Sequence, residues 1–468
     1  MWVWLSFVLA GLLYVAAAVC AWRAIRTART PQGAVGWVVF LLAAPYLGVP
    51  LFLLFGDRRF RGYIIARTDS TRVVEGLNRF AATHAPVPPV SKPARALERL
   101  AHMPIVRGND LELLIDGDAA FEAIHAAIDA AEHYVLAQFY IIRDDACGQA
   151  FAERLKAAAA RGVRVHLLFD AIGSNRLSNR YLDDLRAAGV DAVYPERIRG
   201  PKSRLALNFR NHRKTLVVDG QVGFTGGMNL GVEYLGQDPA YGPWRDTHVR
   251  LTGPIVSQLQ LVYLEDWHWA TRDLPEDLNW DPVRAEADMN ALILASGPGD
   301  RTETGAMFFL SMITAAEDRI WIASPYFVPD AEVLSALKHA ALRGVEVRIL
   351  LPESADHWLT WLAAFAYFDE VADAGVEIWR YGEGFMHQKV VLVDGAMFAV
   401  GTTNLDNRSF RLNFESMAIF FDPRAAAAGE AMLAADFQRA THLRRPLSAQ
   451  PAAIRIGAPI ARLFSPLL

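Results

Sequence analysis

RNHRKTLVVDGQVGFTGGMN, residues 210–229, and FMHQKVVLVDGAMFAVGTTN, residues 385–404, are two copies of one pattern. Each opens with His-x-Lys, His212 with Lys214 and His387 with Lys389, and runs through apolar residues to an Asp-Gly turn at Asp219 or Asp394. A second apolar run then leads to Gly-Gly or Gly-Thr and an asparagine, Asn229 or Asn404. The apolar runs predict buried strands closed by a turn. On a strand, residues i and i+2 share a face, so the imidazole and the ammonium of each copy point together. One His-x-Lys on a surface strand would be ordinary. Two, with matching Asp, Gly and Asn, indicate a duplicated unit and a single site assembled from two halves.

An imidazole beside an ammonium suits a phosphodiester. The cation neutralises phosphate oxygens while the imidazole attacks phosphorus or protonates the leaving oxygen. Lysine usage sharpens this reading, because only six lysines occur among 47 basic residues and each copy keeps one. A nucleophilic histidine also needs an acceptor on its other ring nitrogen. Asp246 in WRDTH and Glu415 in NFE follow the two copies at comparable distances and are the candidates, with a surface salt bridge or a strand-end carboxylate as the alternative. Which acid serves which histidine stays open. Asp219 and Asp394 count among the site residues, with the organisation of the strand-turn unit as their expected role.

Around the motifs the chain repeats itself. AIDAAEHYVLAQFYI (127–141) parallels MITAAEDRIWIASPYF (312–327), and ARGVRVHLLFD (160–170) parallels LRGVEVRILLP (342–352). Helix alternating with strand in both halves predicts α/β layering around a mainly buried sheet. The segment from Thr271 to Asn290 is the expected connection between halves.

At the front, Trp2–Trp22 and Pro31–Gly56 carry no charge, and each exceeds the roughly 20 apolar residues needed to span a bilayer. RAIRTART joins them, giving an expected transmembrane helical hairpin. A cleaved signal peptide is the competing reading, but no Lys or Arg precedes the first segment and a second apolar segment follows at once. Arg58, Arg59, Arg61, Arg67 and Arg72 outnumber the arginines of the turn, which favours a cytoplasmic catalytic region. The domain reading is therefore an anchor of two transmembrane helices over 1–56, and a juxtamembrane segment with a proline-rich linker over 57–100. Two matching α/β halves follow over 101–275 and 276–468.

A net charge of −4 argues against a general nucleic-acid binder. Cys20 and Cys147 are the only cysteines, so no disulfide framework or CxxC metal site is expected, and no HExxH motif suggests a metal. Arg197–Lys214 holds seven basic residues and no acid, a candidate binder of anionic headgroups or simply a solvated run. HWLTWLAAFAYF from His357 reads as a buried core helix or one that dips into a membrane interface. The closing IRIGAPIARLFSPLL reads as a membrane-surface segment or an ordinary packed tail.

The duplicated His-x-Lys-x4-Asp unit resembles the signature of the phospholipase D superfamily. QFYI at Tyr140, RNHRK, WRDTH, SPYFVPD, NRSFRLNFE and the final RLFSPLL, together with the membrane front end, resemble more closely the bacterial cardiolipin synthases. That resemblance implies two α/β domains facing each other across a pseudo-twofold axis, an inner-membrane location, and no cofactor. It also implies transfer of a phosphatidyl group from one phosphatidylglycerol to another, giving cardiolipin and glycerol, through a phosphatidyl-histidine. His212 would be the nucleophile, His387 the acid and base, and Lys214, Lys389, Asn229 and Asn404 the holders of nonbridging oxygens. A phosphodiesterase using water as acceptor, or a non-catalytic membrane scaffold, are the other readings; intact copies of all six positions weigh against the scaffold. Oligomeric state, acyl preference and use of phosphatidylethanolamine are not legible.

Overall fold

The computed structural model describes residues 2–28, 31–56, 83–86, 91–194, 209–300 and 302–468, in two compact units. One holds the N-terminal apolar helices and the other both copies of the motif. The arginines from Arg58 to Arg72, linker residues 87–90, and Arg197, Arg199, Lys202 and Arg204 of the basic run lie outside the described residues.

In the first unit, α1 (Trp2–Thr27) is 26 residues long. At about 1.5 Å per residue it runs roughly 39 Å, beyond the ~30 Å hydrocarbon core of a bilayer. Among the described residues it is the one helix long and apolar enough to cross a membrane. The second apolar stretch is not one continuous helix. It folds as α2 (Pro31–Ala43) and α3 (Pro45–Phe55), because Pro45 occupies the first turn of α3 and cannot donate back to the preceding one. Small residues of α1, namely Ala17, Cys20, Ala21 and Ala24, let Leu41, Val49 and Phe52 of α2 and α3 pack closely against it. Trp4, Phe7, Leu12 and Trp22 point outward and are exposed.

Among its described residues the second unit has 20 strands, 16 of them in one sheet and four in two separate two-stranded pairs. Its first half supplies β1 (Val106–Ile115), β2 (Tyr134–Phe139), β3 (Arg164–Phe169), β4 (Asp191–Val193), β5 (Arg210–Asn211), β6 (Thr215–Val218), β7 (Val222–Gly226), β8 (Trp244–Arg245) and β9 (Thr247–Thr252). The second supplies β10 (Met289–Ser296), β11 (Arg319–Ala323), β12 (Phe327–Val328), β13 (Glu346–Pro352), β14 (Glu377–Tyr381), β15 (Phe385–Met386), β16 (Val390–Val393), β17 (Met397–Gly401), β18 (Leu405–Asp406), β19 (Asn413–Phe420) and β20 (Ala440–His442). Outward from an antiparallel β1–β10 centre the order is β1-β9-β7-β6-β2-β3-β4 on one side. On the other it is β10-β19-β17-β16-β11-β13-β14, the same arrangement related by a pseudo-twofold rotation, with β20 added antiparallel at its outer edge.

Each half keeps its parallel ladder, β2-β3-β4 or β11-β13-β14, at the outside and its antiparallel motif strands inside. Crossover helices such as Ala146–Ala160 and Ala331–Leu342 cover the parallel part, so β2 is buried throughout and apolar but for Gln138, and the adjoining antiparallel β16 is an unbroken buried apolar run. The helix Trp358–Ala372 divides the two expectations for it: Leu362, Phe365, Phe368 and Val371 are core, whereas Trp358 and Leu359 are exposed. The closing helix Ala452–Arg462 packs on it, the Arg462 guanidinium lying 4.3 Å from the Tyr367 ring centroid, and leaves Ile456, Ile460 and Leu463 exposed.

Two buried arginine–aspartate pairs tie the seam. Arg213 Nη1 donates to Asp266 Oδ1 at 2.8 Å and its other nitrogens donate to the carbonyls of Glu415 and Ser296 in the second half. Asp266 also accepts from Gln138 and Asn211. Arg245 Nε and Nη2 donate to Asp436, each at 2.8 Å. These four groups are at most 2% exposed, so each charge depends on its partner for compensation. Asp266→Ala strands the Arg213 guanidinium in the core and is expected to cost about 3–5 kcal/mol of stability. A urea titration checks this; a midpoint within experimental scatter of the parent would show the pair to be dispensable.

Candidate active site

Two residues of extended backbone place each histidine. β5 runs parallel to the start of β19, pairing Arg210 with Asn413 and Asn211 with Phe414, and the His212 N–H then donates to the Phe414 carbonyl at 2.9 Å. β15 pairs in the same way with β8, Phe385 with Trp244 and Met386 with Arg245, and the His387 N–H donates to the Arg245 carbonyl at 2.8 Å. Both ladders cross between halves. The residue after each accepting carbonyl is an acid, Glu415 or Asp246, and it lands beside the imidazole of the other half. His212 Nδ1 lies 2.8 Å from Glu415 Oε2, and His387 Nδ1 lies 2.9 Å from Asp246 Oδ2. A carboxylate at Nδ1 requires the Nδ1–H tautomer, which leaves each Nε2 lone pair for chemistry.

The acids are themselves held. Glu415 Oε1 accepts from Asn413 Nδ2 at 3.0 Å, and Asp246 Oδ1 from the Thr247 N–H at 2.8 Å. Both carboxylates are fully buried. Gly227 makes room for one of them, since a Cβ there would sit 2.0 Å from Asp246 Oδ1. The equivalent position in the second copy is Thr402.

Each lysine folds back onto its own histidine. Lys214 Nζ donates to the His212 carbonyl at 2.6 Å, and Lys389 Nζ donates to the His387 carbonyl at 2.5 Å while lying 2.9 Å from both ring nitrogens. Burial pushes the His212 imidazole down to about 4 and that of His387 well below its ordinary value, with the Lys389 charge adding to the effect on His387. Burial also pushes Lys389 down to about 8 and Lys214 well below the lysine range, opposed by Glu415 and Asp246. The resting site thus holds neutral imidazoles beside cations whose charge a phosphodiester anion would stabilise.

The remaining expected site residues separate. Asp219 and Asp394 sit seven residues beyond the histidines, about 23 Å along an extended chain. Asp219 accepts the backbone N–H groups of Glu132, His133 and Tyr134, and Asp394 those of Glu317, Asp318 and Arg319. Each fastens the motif turn to the start of a neighbouring strand and neither reaches the histidines, so their place is in the scaffold. Asn229 accepts from the Ile141 N–H at 3.0 Å and donates to the Tyr234 hydroxyl at 2.7 Å. Asn404 instead lines a cavity of about 310 Å³ together with His212, Tyr140, Tyr326, Arg210 and Arg408.

Several contributors were not singled out from sequence. Tyr140 packs edge-on to His212 at 5.1 Å, and Trp244 and Tyr234 face His387 at 5.2 and 6.2 Å. Arg213, the residue between His212 and Lys214, proves to be a seam ion. Asp266, an acid within a largely apolar helix, was the readable signal for it, as Asp436 was for Arg245. Among the described residues no cluster of His, Cys, Asp and Glu could hold a metal ion.

Comparison with known proteins shows the family and the fold. The family model for the cardiolipin synthase, PLD-like domain matches twice, at residues 124–238 and 309–437, and a phospholipase D-nuclease N-terminal model matches residues 15–56. Cardiolipin synthase A of Pseudomonas aeruginosa is 44% identical over 99% of this chain and 96% of its own length. That of Pseudomonas fluorescens is 45% identical over 98% of both. Phosphatidylserine synthase of Haemophilus influenzae superposes with a TM-score of 0.59 at 15% identity, over 81% of this chain and 100% of that one, a likeness of fold.

Gly227→Ala is expected to displace the Asp246 carboxylate and reduce turnover at least ~100-fold, the scale of a lost acid–base partner. Full activity in a folded Gly227→Ala protein would sink the role assigned to Asp246. In the free enzyme, kcat/KM is expected to fall below about pH 4 as His212 takes a proton and above about pH 8 as Lys389 loses one. Lys389→Arg, which stays charged, should move the alkaline limb upward; a limb that stayed near pH 8 would belong to another group.

Proposed function

The chain belongs to the cardiolipin synthase family of PLD-like proteins, a family of phosphatidyltransferases, and on that premise we propose that it joins two phosphatidylglycerol molecules through a phosphatidyl group carried on His212. The observation that carries this reading is the crossed pairing of two histidines with two carboxylates, 2.8 and 2.9 Å, in one buried site with two lysines. One imidazole oriented in this way can take up phosphorus while the other moves protons.

In the first step His212 Nε2 attacks the phosphorus of one phosphatidylglycerol. His387, held at Nδ1 by Asp246, takes a solvent proton on Nε2 as the phosphodiester anion enters, and gives that proton to the leaving oxygen as the phosphorus–oxygen bond to glycerol breaks. Glu415 stabilises the cation that forms on His212. In the second step the terminal hydroxyl of another phosphatidylglycerol gives its proton to His387 and its oxygen attacks phosphorus. The phosphorus–nitrogen bond breaks, releasing cardiolipin and restoring both histidines. Lys214, Lys389 and Asn404 hold the nonbridging oxygens as charge shifts. His212 lines the cavity, which favours it as the nucleophile.

Membrane association accords with the family and with α1. We place the chain in a bacterial inner membrane as a multi-pass protein, α2 and α3 forming a broken second pass, with the catalytic region on the cytoplasmic side where the excess of arginines after residue 56 would stay.

Acid quench of the protein in vesicles of radiolabelled phosphatidylglycerol is expected to trap label on a peptide containing His212, with cardiolipin and glycerol as products. His212→Ala should abolish adduct and product. His387→Ala should slow adduct formation and discharge by about 10²–10⁴-fold. Label on the Phe385–Lys389 peptide would reverse the roles, and phosphatidic acid as the sole lipid product would make the protein a hydrolase.

A further inference from the structure

The reacting core is nearly symmetric, and its surroundings are not. Aligning the two copies on their histidines sets Arg210 against Phe385, and aligning them on their asparagines sets Arg408 against Glu233. The fold respects that alignment: Arg210 and Phe385 begin the two-residue strands β5 and β15, and Glu233 and Arg408 lie in the short helices Val232–Leu235 and Asn407–Arg411. On the His387 side, Phe385 packs at 6.0 Å from the imidazole, and Glu233 is neutralised by Arg143 at 3.0 Å. On the His212 side, both arginines line the 310 Å³ cavity that His212 opens into. One flank is apolar and balanced; the other is cationic.

Arg408 is fixed where it stands. Its backbone N–H donates to the Leu468 carbonyl at 2.7 Å and its Nη1 to the Leu467 carbonyl at 3.4 Å. Asp406 also faces the cavity, but its Oδ1 accepts the Ser409 N–H at 2.6 Å and caps the helix that presents Arg408. Burial and the adjacent Arg210 charge both push the Arg408 guanidinium below its ordinary value, opposed by Tyr140, Asp406 and Glu415. An anion between the two arginines would relieve that repulsion.

We propose that Arg210 and Arg408 form a second phosphate subsite, one that holds the non-reacting phosphodiester of the acceptor lipid while its hydroxyl attacks the phosphatidyl group on His212. The inference rests on the reading of the chain as a transferase between two phosphatidylglycerols. Such an acceptor carries its own phosphate one glycerol length from the attacking oxygen. Glycerol and water, which share the attacking hydroxyl, carry none. A cationic flank on one side of a symmetric core therefore selects an anionic lipid over water, without touching the reacting phosphorus. The bonds are those of the second displacement: acceptor oxygen to phosphorus forms, phosphorus to His212 nitrogen breaks, and the proton goes to His387.

The test is how one common intermediate divides between acceptors, because that ratio is independent of how fast the intermediate forms. Full-length protein in phosphatidylglycerol–phosphatidylcholine vesicles is supplied with labelled glycerol, and cardiolipin is measured against labelled phosphatidylglycerol. Arg408→Gln is expected to lower the cardiolipin-to-glycerol-exchange ratio at least tenfold, and Arg210→Gln to lower it in the same direction. Arg408→Lys, which keeps the charge, should recover part of it even if Arg408→Gln folds poorly. A ratio within twofold of wild type in folded Arg210→Gln, or in folded Arg408→Gln, would overturn the subsite. Wild-type protein that forms phosphatidic acid and no cardiolipin would overturn the parent reading and this one with it, a result visible before any arginine is changed.

Discussion

The site depends on two short parallel ladders, each only two residues long, that cross from one half of the sheet to the other. Their register sets the His212 N–H on the Phe414 carbonyl and the His387 N–H on the Arg245 carbonyl, and the next residue in each accepting strand is the acid that the imidazole needs. A slip of one residue would turn Glu415 or Asp246 to the opposite face and leave a buried carboxylate without its histidine. Backbone pairing and side-chain pairing therefore enforce each other. It follows that neither half contains a working histidine, since each imidazole is oriented by the other half's carboxylate.

Charges this deeply buried need compensation, and the fold arranges it in layers. At the reacting centre, burial, with the lysine charges beside it, keeps both imidazoles neutral, and burial presses down on both lysines, so the site awaits an anion. One layer out, Arg213–Asp266 and Arg245–Asp436 meet as fully buried ion pairs that link strands and helices of both halves. Removing one member of such a pair leaves an uncompensated ion, which makes the seam intolerant of partial change. That rigidity suits a mechanism in which two nitrogens must stay aligned with one phosphorus through two displacements.

The amino-acid sequence made the duplicated core legible because its chemistry lies within single strands. His-x-Lys on one face, the Asp-Gly turn and the helix–strand alternation all follow from local periodicity. Asp246 and Glu415 were recognisable as acids in search of a partner, but their exchange between halves is a fact of sheet order, and nothing local distinguishes a crossed pair from a direct one. Asp219 and Asp394 were counted with the site by their place in the motif but expected to organise the strand-turn unit, and the three backbone N–H groups that each accepts fit that second role. The break between α2 and α3 was readable, because Pro45 cannot continue a helix that precedes it. Uniform apolarity concealed it.

Duplication supplies two chemically equivalent histidines, yet a double displacement needs them to act differently. The geometry of the crossed pairs does not separate them, since both acids are buried, both are Nδ1-bonded and the two distances differ by 0.1 Å, although one acid is Glu415 and the other Asp246. The difference must therefore come from groups that the duplication did not keep alike. Lys389 reaches both ring nitrogens of His387, whereas Lys214 reaches the His212 carbonyl and stands 5.5 Å from the Tyr140 ring centroid. Gly227 yields space to Asp246 where Thr402 occupies the matching position beside Glu415. Arg210 and Arg408 add charge to one flank only. A symmetric core fixes the geometry that both steps share, and the asymmetric surroundings determine which histidine holds the phosphatidyl group and which carries the proton.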